Sequence, residues 1–224
     1  MNTKLKVLPF ACAIGASIGV LAQSNLILNP SFNQGANSGV PLNWSSNAGG
    51  NYNYADASAP SFAAGGQIFS LGWWDGAATW QNTGSLIQAN TSYAMSVTAA
   101  VGQSPLTGVN LSFQDVTTGW TWVGSQVFLF SSGDQTSGKY ETFTLNIPQS
   151  ALTSRAGDTI GVGISLSESP NTQYGWIHLD SVSLVATPIP EPSSLALLAL
   201  GALGSLTMLH RIKFKYSKAI PTPR

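Results

Sequence analysis

Apolar and polar residues alternate with a period of two through most of the chain, a pattern typical of strands that bury one face. The alternation is clearest in Thr142 to Ile147 and in Ile177 to Leu184. Between the two ends of the chain, no window has the 3.6-residue period of a long amphipathic helix. The pattern therefore predicts an all-β domain, with strands over Asn25–Asn29, Gln67–Gly72, Ala78–Gln81, Ser92–Val101, Val109–Asp115, Thr121–Val123, Gln126–Phe130, Tyr140–Ile147, Thr159–Leu166 and Trp176–Val185. About ten strands with Gly, Asn and Ser turns suit a two-sheet sandwich.

Uncharged apolar segments lie at both ends of the chain. Residues 193–209 would extend about 25 Å as a helix, near the lower limit for crossing a bilayer. Because a basic cluster follows this segment, the domain before it should lie outside the inner membrane. At the other end, Lys4 and Lys6 precede an apolar stretch that closes in Val20-Leu21-Ala22, which predicts a signal peptide cleaved after Ala22. The alternatives are an uncleaved anchor at the N-terminus and a buried helix at the C-terminus.

The C-terminal segment also carries a resemblance to a known family signal. Pro190, Glu191 and Pro192 precede the Gly-punctuated span, and four Lys or Arg residues follow between Arg211 and Lys218. In this order the parts resemble the PEP-CTERM sorting signal of exported bacterial proteins. The resemblance implies a transient inner-membrane anchor, processing by an exosortase-type enzyme, and a product at the cell surface or in the extracellular matrix. The long extension to Arg224 departs from the family pattern.

The predicted organisation is a signal peptide over 1–22, a domain over 23–186, a linker with the sorting motif over 187–192, a transmembrane helix over 193–209 and a basic tail over 210–224. Within the domain, eight Asp and Glu residues against two Lys and Arg residues leave a net charge of −6. This charge argues against nucleic acid or an anionic membrane as partner and favours a neutral one. Cys12 lies in the leader, so no disulfide or thiolate metal site is expected in the domain.

Short motifs near both ends of the domain resemble the galactose-binding-like fold, a jelly-roll sandwich common in carbohydrate-binding modules. They are Asn25–Phe32 with Pro41–Trp44 at the start and Trp176–Leu184 at the end. The resemblance implies a structural calcium ion that ties the first strand to the last. Asp180 matches the acidic ligand of the last strand, and Asn33 takes a position where a second acidic ligand is common. The alternative for Asp180 is a carboxylate that accepts hydrogen bonds from backbone amides.

Tryptophans provide the main indication of ligand binding. One group surrounds the turn Gly72–Gly76, and the pattern Trp120-Thr121-Trp122 places two indoles on the same side of a predicted strand. Indoles stack on the apolar faces of sugar rings, and neighbours such as Gln81 and Asn82 can bind hydroxyls. The alternative is that these rings belong to the core. The predicted ligand-binding residues are Trp73, Trp74, Asp75, Trp80, Trp120 and Trp122.

Catalysis has little support in the sequence. The domain contains no Gly-x-Ser-x-Gly or His-Glu-x-x-His motif, and His178 is its only histidine. A glycosidase needs two carboxylates that face one bond, and nothing in the sequence brings Glu141 and Glu168 together. The expected function is that of an exported, non-catalytic protein that binds neutral polysaccharide. The alternative is a structural or adhesive protein of the matrix or biofilm with no defined sugar site.

Overall fold

The computed structural model describes residues 24–34, 39–47, 52–54, 57–61, 64–72, 77–103, 106–131, 139–168, 176–190 and 200–205. Within these ranges the strands are β1 Ser45–Ser46, β2 Tyr52–Tyr54, β3 Ile68–Gly72, β4 Ala78–Leu86, β5 Thr91–Gln103, β6 Leu106–Asp115, β7 Thr121–Leu129, β8 Glu141–Ile147, β9 Thr159–Glu168 and β10 Trp176–Pro188. A 3-10 turn over Gln149–Ala151 follows β8. The domain is all-β, as the alternation predicts.

The strands form two antiparallel five-stranded sheets that pack face to face. Sheet I has the strand order β1-β4-β9-β6-β7, and sheet II has the order β2-β3-β10-β5-β8. Most connections cross from one sheet to the other, as in a jelly-roll sandwich. The predicted two-sheet sandwich is therefore confirmed.

The inner faces of both sheets supply the core, and the alternation explains how. In β6, Val109, Leu111 and Phe113 are fully buried against sheet II, whereas Asn110 and Gln114 lie on the outer face of sheet I. Aromatic rings fill the widest part of the core, and the largest fully buried ones are Phe32, Phe69 and Phe113. Side chains on the outer face of sheet I are therefore held on a rigid support.

Several strands are longer than the sequence predicts, among them β4 and β7 of sheet I. β4 continues to Leu86, beyond the predicted end at Gln81. Its inward positions hold the polar residues Thr79, Gln81 and Thr83, and Thr83 hides the alternation where the strand continues. Each of these three makes hydrogen bonds inside the sandwich, such as the one that the Thr83 hydroxyl donates to the Ile160 carbonyl. β7 is one continuous strand, although the sequence indicates two short strands.

The predicted first strand, Asn25–Asn29, is not a regular strand. Instead, the Leu26 N–H donates to the Leu184 carbonyl of sheet II at 2.9 Å. Two residues later, the Gln81 side chain of sheet I accepts from the Leu28 N–H at 2.8 Å and donates to the Leu28 carbonyl at 2.7 Å. The segment therefore ties the two sheets together along one side of the sandwich.

The last strand runs directly into the sorting segment. β10 continues to Pro188, two residues into the predicted linker, and the Ile189 N–H donates to the Asn90 carbonyl at 2.7 Å. Residues 200–205, within the predicted transmembrane segment, are helical. In the part of the chain that the structure describes, no helix is long and apolar enough to span a bilayer. The predicted signal peptide and basic tail lie outside the described residues.

Candidate functional site

An open groove of about 520 Å³ lies on the outer face of sheet I. Trp80 on β4 stands at one side, and Trp122 on β7 stands at the other, with β9 and β6 between them. Three strand spacings separate β4 from β7, which corresponds to about 14 Å. The lining residues are Ala78, Thr79, Trp80, Asn110, Ser112, Gln114, Trp120, Trp122, Gly163, Ile164 and Ser165.

Glycines on β9 keep the floor of the groove low. A Cβ atom at Gly163 would lie 2.6 Å from the Ser112 hydroxyl oxygen and 2.7 Å from Gln114 Nε2. A Cβ atom at Gly161 would lie 2.8 Å from Cζ3 of Trp120. Because β9 is central to the groove, side chains at these two positions would fill the space that the indoles and amides now border.

Trp120 reaches the groove by a route that the sequence does not show. The prediction places Trp120 and Trp122 on one side of the same strand, but Trp120 precedes β7 and lies in the turn after β6. Its φ of 63° is in the left-handed region, directly after Gly119 at 86°. This conformation lays the indole over Gly161, so that both tryptophans still line one groove.

The predicted tryptophans divide into two groups. Trp80, Trp120 and Trp122 come together at the groove, where Trp122 is 63% exposed and the other two are half-buried. They are therefore not part of the hydrophobic core. Trp73, Trp74 and Asp75 lie outside the described residues, so their place relative to the groove stays a prediction.

Uncharged polar side chains form the centre of the groove. Gln114 Nε2 donates to the Ser112 hydroxyl at 2.8 Å, and Asn110 Nδ2 lies 3.5 Å from the Ser165 hydroxyl. Within the described part of the chain, Asn110 Oδ1 and Gln114 Oε1 accept no hydrogen bond, so both can accept one from a ligand. The sequence interpretation missed these residues, although the alternation of residues 110–114 places all the polar ones on one face.

Gln81, interpreted from the sequence as a hydroxyl-binding neighbour of the tryptophans, has a different role. It is 1% exposed and points into the sandwich, where it bonds both backbone groups of Leu28. Asn82 is exposed, and its side-chain oxygen accepts from the Gly84 N–H at 2.9 Å. Neither residue lines the groove. A position next to Trp80 in sequence lies on the opposite face of the strand.

An ion pair with a buried carboxylate lies next to the turn that carries Trp120. Arg155 Nη1 donates to Asp115 Oδ2 at 2.7 Å, and the Asp115 side chain is fully buried. The Thr118 N–H donates to Asp115 Oδ1 at 3.2 Å. Burial alone would raise the pKa of Asp115, but the hydrogen bonds from Thr118 and Arg155 outweigh it and hold that pKa below its usual value. The pKa of Asp158 is raised by burial and by the Asp115 charge, against an opposing effect of Arg155.

Replacing Asp115 with asparagine should alter the acid side of the stability profile. A lowered pKa in the folded state adds stability that is present above the unfolded pKa and is lost as the pH falls through the folded value. Asp115→Asn should lower the free energy of unfolding at pH 7 by about 2 kcal/mol, and the difference should shrink below about pH 4. Urea unfolding from pH 3 to pH 7 measures it. A constant difference over that range would contradict the lowered pKa.

Asp180 and Asn33, the predicted calcium ligands, differ in their surroundings. Asp180 is 1% exposed, and its Oδ1 accepts from the Ser61 N–H at 3.1 Å and from the Ser61 hydroxyl at 2.6 Å. Asn33 is exposed. Among the described residues, Gln67 Oε1 is a buried oxygen without a hydrogen-bond partner, and no cluster of three His, Cys, Asp or Glu residues is present. The carboxylate oxygens of Asp180 and the amide oxygen of Gln67 are of the kind that calcium prefers. Only one of these two groups, the Asp180 carboxylate, carries a negative charge.

Known proteins are similar to this chain in two separate regions, the C-terminal segment and the sandwich domain. Residues 188–211 match the PEP-CTERM protein-sorting motif, which confirms the resemblance of the C-terminal segment. The motif implies export, processing at the membrane and an exosortase-type processing partner. It begins at Pro188, the last residue of β10. No curated protein is significantly similar to the sequence.

Solved structures share the fold of the sandwich. The arabinose-bound α-L-arabinofuranosidase MgGH51 superposes with a TM-score of 0.57 at 12% identity, over 73% of this chain and 26% of that one, so this chain spans about a quarter of the enzyme. A cyclase from Fischerella sp. TAU superposes with a TM-score of 0.54 at 14% identity, over 74% and 97% of the two chains. Such low identities show the fold alone.

Proposed function

We propose that this chain is an exported, non-catalytic protein that binds neutral polysaccharide in the groove of sheet I, at the cell surface or in the extracellular matrix. One observation carries the proposal: Trp80, Trp120 and Trp122 border one open groove whose other lining residues are small or uncharged. The sorting motif supports export, because it directly follows the domain that bears the groove.

The chemistry of the lining favours sugar rings. Indoles stack on the apolar C–H faces of pyranoses, and the amides of Asn110 and Gln114 can exchange hydrogen bonds with hydroxyls. An uncharged lining inside an acidic domain disfavours anionic polymers. Because the groove is open, it can accept a segment within a longer chain.

The same lining supports binding without catalysis. None of the described residues that line the groove is a carboxylate, histidine or cation. Asp115 directly follows the groove residue Gln114 in the sequence. Its carboxylate is fully buried and paired with Arg155, so it is poorly placed to transfer a proton to a ligand in the groove. Glycoside hydrolysis requires two accessible carboxylates that flank one bond.

Affinity electrophoresis of the full-length chain in mild detergent tests the proposal. The gels contain soluble galactan, arabinan, xylan or hydroxyethylcellulose, or the neutral exopolysaccharide of the producing cells. Retardation by at least one of these polymers, reversed by its free oligosaccharides, is the expected result. Unchanged mobility in every gel would contradict the proposal and favour the alternative of a structural matrix protein without a sugar site.

We further propose that a structural calcium ion is held by Asp180 and Gln67, on the basis of a buried carboxylate and a buried amide oxygen without a partner. Gln67 lies near Asp180 in the fold, since the Gly66 N–H donates to the Ser61 carbonyl at 3.0 Å and Ser61 bonds Asp180. Among the described residues no cation forms an ion pair with Asp180, and the calcium ion would supply a positive charge to this buried carboxylate.

Removal of calcium should therefore lower the melting temperature. We expect EDTA to lower the Tm of the full-length chain by several degrees and an excess of CaCl₂ to restore it. Asp180→Asn provides the control, because its Tm should not respond to EDTA. A Tm of the unmodified chain that EDTA leaves unchanged would contradict the bound calcium ion.

A further inference from the structure

The turn that carries Trp120 is strained and needs support. Trp120 and Gly119 are consecutive left-handed residues, with φ of 63° and 86°. For a non-glycine residue this conformation is unfavourable, and it persists only where surrounding contacts determine it. The contacts that determine the turn should therefore also determine where the Trp120 indole lies.

One guanidinium nitrogen bonds both ends of this turn. Arg155 Nη1 donates to Asp115 Oδ2, at the last residue of β6, at 2.7 Å. It also donates to the Thr121 hydroxyl, at the first residue of β7, at 3.1 Å. Arg155 therefore fixes the separation of the two strands at the point where Trp120 connects them.

Further contacts connect this support to the rest of the turn. The Thr118 N–H donates to the second oxygen of Asp115, and the Thr118 and Thr121 hydroxyls share a hydrogen bond of 2.6 Å. On the side facing β9, the Thr159 N–H donates to the Thr117 hydroxyl at 2.8 Å. These hydrogen bonds connect the turn to β6, β7 and β9.

We propose that Arg155 is a positioning residue of the groove: its bonds to Asp115 and Thr121 hold the turn in the conformation that lays Trp120 over Gly161. The inference rests on the proposed function for its effect on binding, but its effect on Trp120 is independent of any ligand. Arg155 does not line the groove, so it acts through Trp120 and not by contact with the polysaccharide.

A measurement without ligand tests the structural half. Fluorine NMR of the full-length chain labelled with 5-fluorotryptophan reports each indole separately, and Trp→Phe variants assign the resonances. Arg155→Ala should shift or broaden the Trp120 resonance and leave that of Trp44, a core residue 6% exposed, in place. Lys139→Ala, which removes the domain's other cation, should leave Trp120 unchanged. An unmoved Trp120 resonance in Arg155→Ala would overturn the proposal.

A double-mutant cycle tests the binding half on the neutral polysaccharide that retards the unmodified chain most. Arg155→Ala should weaken retention about tenfold, and it should have little further effect when Trp120 is already alanine. Additive losses in the double variant would overturn the proposal, because Arg155 would then act independently of Trp120. If Arg155→Ala does not fold, Thr121→Val removes one acceptor at an exposed position and should give a smaller coupled loss.

The two tests separate the inference from the function on which it rests. If the unmodified chain binds none of the polysaccharides but Arg155→Ala moves the Trp120 resonance, the proposed function is wrong and the positioning role stands. If Trp122→Ala abolishes binding but Arg155→Ala changes neither the Trp120 resonance nor retention, the function stands and the positioning role is wrong.

Discussion

Replacing Trp80 or Trp122 with alanine should abolish most of the retention on neutral polysaccharide. A central aromatic residue at a binding site commonly contributes at least about 2 kcal/mol, which corresponds to about a 30-fold weaker affinity. Trp122 is 63% exposed, so its loss should leave the Tm unchanged. Affinity electrophoresis and thermal unfolding of the same samples measure both effects.

A tryptophan on the other sheet provides the matched control for these variants. Trp176 lies on β10, next to the fully buried Ile177, so its indole is on the outer face of sheet II. Trp176→Ala should keep the retention of the unmodified chain. Equal losses from Trp122→Ala and Trp176→Ala would mean that the groove has no special part in binding. A Trp122→Ala variant that unfolds would favour the structural alternative.

Replacing Gln81 with leucine should strongly destabilise the fold without direct loss of a ligand contact. Gln81 bonds both the N–H and the carbonyl of Leu28, and leucine would leave these two partly buried backbone groups without their partner. Each unsatisfied group costs about 1–3 kcal/mol. We expect the free energy of unfolding to fall by about 2–4 kcal/mol, as measured by urea denaturation.

Asn82 provides the control that distinguishes the structural role of Gln81 from the hydroxyl-binding role that the sequence suggests. Asn82 is exposed and bonds only within its own turn, so Asn82→Ala should change the stability by less than about 1 kcal/mol. At a low temperature, where the Gln81→Leu variant is folded, it should still bind polysaccharide. If Gln81→Leu weakens retention and leaves the stability intact, Gln81 acts at the groove after all.

The sandwich could be predicted from the sequence because apolar residues alternate in strands such as β6 and β8. The prediction of β4 was correct from Ala78 to Gln81 but ended too early, because the next inward position is the polar Thr83, which satisfies its hydrogen bond inside the protein. Period-two patterns indicate which face a residue occupies, but they do not indicate which strands are neighbours. The order β4-β9-β6-β7 that joins Trp80 to Trp122 is therefore not visible in the sequence.

The candidate site could be predicted only in part, because the sequence does not show which strands are neighbours. Trp80, Trp120 and Trp122 were chosen for their chemistry, and their shared groove depends on pairings between distant segments. The support from Arg155 could not be predicted, because its partner Asp115 is 40 residues away and the left-handed φ of Trp120 has no sequence signature. The role of Gly161 and Gly163 in the groove likewise could not be predicted, because it depends on the position of β9 at the centre of sheet I.

The most direct test of the binding groove is a fluorine NMR titration of the full-length, 5-fluorotryptophan-labelled chain with the polysaccharide that retards it most. All seven tryptophans report at once, including those on both outer faces and in the core. The resonances of Trp80, Trp120 and Trp122 should shift together, while those of Trp44 and Trp176 stay in place. A titration that moves Trp176 and leaves the three groove tryptophans unchanged would contradict the assignment of binding to sheet I.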